Sequence, residues 1–142
     1  MSWIGSLVSL LGRVLLSLIF LFSAIGKVFD FSGTTKYMTA HGVPTPALFL
    51  IVAILLELAG GLSLLVGYWA RLGVVLLLLF LLPVTLVMHD FWTIEDAAQW
   101  RIGMIMFMKN LGIAGGLLYV LRFGAEWPSF DAAARPPVPK GS

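Results

Sequence analysis

The stretch 72-LGVVLLLLFLLPVTLVM-88 decides the fold. It carries no charged side chain and shows no polar face, whereas a helix resting on a water-soluble core has one. For a segment apolar all round, lipid is the natural solvent. Working outward, three more apolar stretches appear, from about Ile4 to Phe29, Pro46 to Tyr68 and Ile102 to Leu121. Each of the four reaches or approaches the roughly 20 residues a helix needs to cross about 30 Å of hydrocarbon. The expected fold is all-α and integral to a membrane: a four-transmembrane-helix bundle over residues 1–134, with a Pro-rich, disordered tail over 135–142.

Composition agrees. The chain is 60% hydrophobic and 11% charged, against about 45–50% and about 25% in a soluble domain. A net charge of +2, from scattered basic residues, gives no reason to expect a nucleic-acid partner. The absence of cysteine excludes a disulfide, a thiolate metal site, an iron–sulfur cluster and a redox CxxC within this chain. The only histidines are His41 and His89, and one falls in a predicted loop, so neither a bis-His haem nor a metal site is expected. No Walker loop, GxGxxG, HExxH or GxSxG is present, which argues against a soluble-type active site. Met1 to Gly12 carries no charge, and the apolar run ends at Lys27 without an A-x-A pattern. The first segment therefore reads as a retained helix rather than a signal peptide.

Local signals mark the ends. Pro44 and Pro46 suit a helix start, Gly67 a helix stop, and Trp92 and Trp100 flank the connection between segments three and four, as interfacial tryptophans do. The longest connection, Asp30 to Thr45, is either an irregular loop or a short helix capped by Ser32, running through Ala40 and stopped by Gly42. Leu58-Ala59-Gly60-Gly61-Leu62 echoes Ile113-Ala114-Gly115-Gly116-Leu117, which fits two tandem helical hairpins. Four spans put both termini on one side, with Arg71, Arg122, Arg135 and Lys140. The other side holds Lys36 and Arg101, so the positive-inside rule puts the termini in the cytoplasm.

Polar residues inside the apolar runs are the candidate site. They are Arg13 and Lys27 in segment one, Glu57 in segment two, and Lys109 and Asn110 in segment four. Counting from Pro46, Glu57 lies about 16 Å down, and counting from Arg101, Lys109 lies about 12 Å down. Lys27, Glu57 and Lys109 are thus expected to converge in one half of the bundle. A charge at mid-bilayer costs at least about 2.5–3.5 kcal/mol, so such residues face the bundle interior and pair. Glu57 shares a face with Ala53, Gly60 and Gly61, and Lys109 with Ile105, Gly112 and Gly116. Small residues let helix backbones approach closely, so Glu57 with Lys109 is the expected pair. His89 ends segment three beside Asp90, which can set its tautomer. Met104, Met106 and Met108 spread around their helix and read as packing. Pro83 is expected to kink segment three. Asp131, after Pro128-Ser129, is either a cap that docks the tail or a solvated carboxylate.

These residues together resemble the DoxX family. The resemblance rests on Gly12-Arg13, Phe20-Leu21-Phe22-Ser23-Ala24-Ile25-Gly26-Lys27-Val28 with Phe31, and Tyr37 followed by Gly42-Val43-Pro44. It continues in Glu57-Leu58-Ala59-Gly60-Gly61, Gly67 with Arg71, His89-Asp90-Phe91-Trp92, Phe107-Met108-Lys109-Asn110-Leu111, and the closing Gly124, Ser129 and Asp131. It implies a four-helix bacterial inner-membrane protein. One branch of that family is linked to thiosulfate oxidation with quinone as acceptor, and others to redox or oxidative-stress complexes. The leading expectation is a quinone-linked oxidoreductase subunit. Its ligand-binding residues would be Arg13, Lys27, Glu57, His89, Lys109 and Asn110, with Glu57 or His89 as proton relay. The alternatives are a non-enzymatic membrane scaffold or partner of a redox or stress-response complex, and a small transporter or proton path; other membrane or redox proteins and a second copy of the chain are the candidate protein partners. No covalently bound cofactor is expected.

Overall fold

The computed structural model describes residues 2–136. It contains six α-helices: α1 Trp3–Phe29, α2 Phe31–Ala40, α3 Pro46–Val66, α4 Ala70–Met88, α5 Ala97–Phe123 and α6 Phe130–Ala133. Among the described residues there is no strand. Four helices, α1, α3, α4 and α5, are long and apolar enough to cross a membrane. Large apolar side chains such as Leu15, Phe22, Leu55, Leu79 and Leu86 point outward. That is what a bundle solvated by lipid requires, because helices satisfy their backbone polar groups internally.

Helix ends follow local chemistry. Asp30, not Ser32, caps α2, its Oδ1 accepting from Gly33 N at 3.1 Å, so the first loop is helical and its cap lies two residues earlier than expected. Gly67 closes α3 in the left-handed conformation at φ 67°, which glycine adopts without steric cost. Asp96 caps α5 by accepting from Gln99 N at 2.8 Å, so that helix begins five residues before Ile102. Asp96 and Gln99 have the spacing of a capping box.

The helices pack in order, α1 on α3, α3 on α4 and α4 on α5, while α1 and α5 barely meet. This is the arrangement of two helical hairpins joined through α3 and α4. The α3–α4 crossing is close because Gly60 presents bare backbone: a Cβ there would lie 2.8 Å from Gly73 O. The main core gathers Phe20, Leu64, Val74, Leu77, Phe80, Leu81, Ala114 and Leu117. Phe20 and Phe80 meet edge to face at 6.3 Å. A smaller cluster of Ala24, Leu50 and Ile54 carries Phe31 and Met38, which seat α2 across one end of the bundle. That end, with residues 30–45 and 89–96, is the loop side; the termini and the α3–α4 turn form the other. The tail expected over 135–142 lies outside the described residues from 137 onward.

Candidate functional site

Glu57 sits on the inner face of α3 and is wholly buried, its side chain 0% exposed. Its partner is Lys27 of α1. The ammonium Nζ lies 3.1 Å from Oε1 and 3.0 Å from Oε2. Only the Oε1 contact has hydrogen-bond geometry; the Oε2 contact is electrostatic, and Oε2 receives no aligned donor. Lys27 also donates to Ser23 Oγ, one helical turn back, and its ammonium stands 5.0 Å from the centre of the Phe80 ring. The lysine side chain keeps 19% of its surface exposed. A carboxylate, an ammonium, a hydroxyl and an aromatic face thus meet where three helices converge, in the loop-side half.

The expected pairing of Glu57 with Lys109 does not form. Adjacent residues on a helix point about 100° apart, and Asn110 takes the inward position. Asn110 Nδ2 donates to Thr85 Oγ1 at 3.0 Å, and Thr85 Oγ1 donates to Leu81 O at 2.6 Å. Lys109 is turned outward, and its Nζ contacts Met106 Sδ at 3.3 Å. Gly112, which shares its face, has open space where a Cβ would sit. That face of α5 is thus open at Gly112 but not at Gly116, where a Cβ would meet Leu16 Cδ2 of α1 at 3.3 Å.

Arg13 belongs elsewhere. It lies 14 positions before Lys27, roughly 21 Å along α1. Its guanidinium is buried and donates to Leu64 O at 3.5 Å and to Pro128 O, while its Nε has no partner. Asp131 follows on the same segment and caps α4: Oδ1 accepts from Trp69 N and Oδ2 from Ala70 N, each at 2.8 Å. Arg13 and Asp131 therefore fasten the C-terminal segment over the α3–α4 turn. They do not line a ligand site with Lys27. Asp131 is the cap, not a solvated carboxylate.

His89 ends α4 on the loop side and is half-buried. Lys109, His41 and Asp90 lie within electrostatic reach of its ring. The Tyr37 ring of α2 lies tilted against that of His41, centroids 4.3 Å apart, and its hydroxyl donates to Met88 O at 3.5 Å. His89 is thus near Lys109 and α2 rather than in the Lys27–Glu57 cluster. Sequence reasoning missed Ser23, Thr85 and Phe80. The four-residue spacing of Ser23 and Lys27 was a usable signal; nothing local pointed to Thr85 or Phe80. Among the described residues, no group of His, Asp and Glu could hold a metal. A surface recess of about 510 Å³ lies between α2 and the start of α3, lined in part by Phe31, Thr35, Lys36 and Pro46 and apart from Glu57.

Comparison with known proteins gives consistent findings. The family described as DoxX matches residues 8–90. Inner membrane protein YphA of Escherichia coli (strain K12) is 32% identical over 122 residues, which are 86% of each chain. Inner membrane protein YqjF of the same organism is 34% identical over 122 residues, 86% of this chain and 88% of the relative. No solved structure matches.

Proposed function

The chain belongs to the DoxX family of inner-membrane proteins, and on that footing we propose that it is a non-catalytic membrane subunit on which proteins of a redox or stress-response assembly gather. One observation supports this best: among the described residues, and apart from Arg13 Nε and Glu57 Oε2, the buried side-chain polar atoms of the bundle have partners within the chain. Lys27 is held by Glu57 and Ser23, Asn110 by Thr85, and Arg13 by two backbone carbonyls. Groups satisfied in this way orient helices, since an unpaired polar group in hydrocarbon is costly. The test uses native membranes solubilised in mild detergent. The chain is expected to migrate with other membrane proteins, and Lys27→Met with Glu57→Gln together are expected to leave that assembly intact. Migration alone, or loss of the assembly in a folded double variant, would overturn the reading.

A quinone-linked redox role is the second reading. What favours it is the 19% exposure left to Lys27 beside Glu57 Oε2, a buried oxygen without an aligned donor. Lys27 and Ser23 would then bind a head-group oxygen, and Glu57 would hold the proton that accompanies reduction. A short-chain quinone added to purified protein should raise its melting temperature, and Lys27→Met should remove the rise. An unchanged melting temperature in the wild type eliminates this reading.

A further inference from the structure

The end of the bundle that holds the termini carries a second group of cations, apart from the Lys27–Glu57 cluster. Arg71 is the second residue of α4, and the segment after α5 brings Arg135 beside it. Gly124, which ends α5 at φ 79°, stands between them. A Cβ there would lie 3.0 Å from Arg135 Nη2 and 3.5 Å from Arg71 Nε, so the two guanidiniums close on one point of bare backbone. With Trp69, Leu72 and Asp131 these residues line a surface recess of about 370 Å³. A guanidinium has five N–H donors. Arg71 Nη2 donates to Arg122 O and Arg135 Nη2 to Ala125 O, each at a long 3.4 Å, and the remaining donors face the recess or solvent. Neither arginine has an acid within ion-pair distance among the described residues. Asp131 borders the recess, but its two oxygens are taken by the amides of Trp69 and Ala70.

We propose that Arg71 and Arg135 bind a phosphate group in this recess, and that the group belongs to the head of an anionic phospholipid. Two guanidiniums this close repel each other unless an anion lies between them, and the planar fork of arginine meets phosphate oxygens two at a time. Position selects lipid as the source. Arg71 opens α4 and Arg122 stands in the last turn of α5. The recess therefore lies where two spans end, at the level of the head groups. The apolar members of its wall, Trp69 and Leu72, are 62% and 48% exposed, and an indole favours that interface. A phosphate held by both arginines would also tie α4 to the segment that Asp131 already fastens over the α3–α4 turn. The site is separate from the bundle interior, so it holds whichever reading of Lys27 and Glu57 is right.

The experiment titrates the purified full chain in mild detergent with phosphatidylglycerol or with phosphatidylcholine of the same acyl chains, and counts bound lipid by native mass spectrometry. The first phosphatidylglycerol is expected to bind about fivefold or more tightly than phosphatidylcholine. Arg71→Gln and Arg135→Gln should each reduce that preference and together remove it. Arg71→Lys should keep part of it, because lysine retains the charge and loses the fork. Arg101→Gln, at the opposite end of α5, should leave it unchanged. Both arginine side chains are exposed, so the single variants are expected to fold and carry the test even if the double variant does not. Equal binding of the two lipids overturns the proposal. So does a preference that persists in both single variants, or one that falls as far in Arg101→Gln, which would make net charge alone the cause. Displacement of the bound lipid by millimolar inorganic phosphate would assign the recess to phosphate from solution and overturn the lipid as its source.

Discussion

The glycines of α3 and α5 look alike in sequence and do different work. At Gly60 an added methyl carbon would meet Leu77 Cγ at 2.7 Å and Gly73 O at 2.8 Å, and the backbone oxygen cannot move aside cheaply. Overpacking of this kind costs about 1–3 kcal/mol. Gly112 has open space at the same point, and an alanine there should gain about 0.5–1 kcal/mol of helix propensity. Gly60→Ala is therefore expected to lower the melting temperature in mild detergent, and Gly112→Ala to hold or raise it. Equal losses at both positions would mean that α5 packs on its glycine face after all. Sequence patterning could not separate the two faces. Lys109 and Glu57 each stand among small residues at helical spacing, and which face meets a neighbour depends on the rotation of each helix in the bundle.

Among the elements, α4 shows most plainly what is local and what is not. Its body was legible as an apolar run, because burial in lipid needs only composition and length. Its start was not. The backbone at Trp69 is left-handed, φ 49°, and the first amides of α4 are capped by Asp131, 61 positions away from Ala70. By contrast, the Asp96 and Gln99 pair that opens α5 was present in the sequence at capping-box spacing. Asp131→Ala should cost about 1–2 kcal/mol, the upper part of the range for a lost N-cap, because it removes two amide partners at once. The check is chemical or thermal unfolding of that variant beside Asp131→Asn, which should keep part of the stability. Wild-type stability in Asp131→Ala would remove the C-terminal segment from the account of how α4 begins.

For the whole molecule, the four-span bundle was legible throughout, while the polar cluster was only half so. Helical rise sets the spacing of Lys27, Glu57 and Lys109 along their own helices, but their partners required knowing that α1, not α5, packs against α3. Orientation is a separate matter. The excess of Arg and Lys on the terminal side is expected to hold that side in the cytoplasm. A fluorescent protein fused to the C-terminus should then mature and glow in bacterial cells, and alkaline phosphatase fused there should stay inactive; the opposite pair of results would invert the topology. The central claim is that Glu57 is held inside the bundle by Lys27, leaving Lys109 free on the outside. A double-mutant cycle on unfolding free energy in mild detergent tests it most directly. Glu57→Gln and Lys27→Met are expected to be coupled by about 1.5 kcal/mol or more, and Glu57→Gln and Lys109→Met to add to within about 0.5 kcal/mol. Strong coupling of Glu57 to Lys109, with additivity against Lys27, would contradict it.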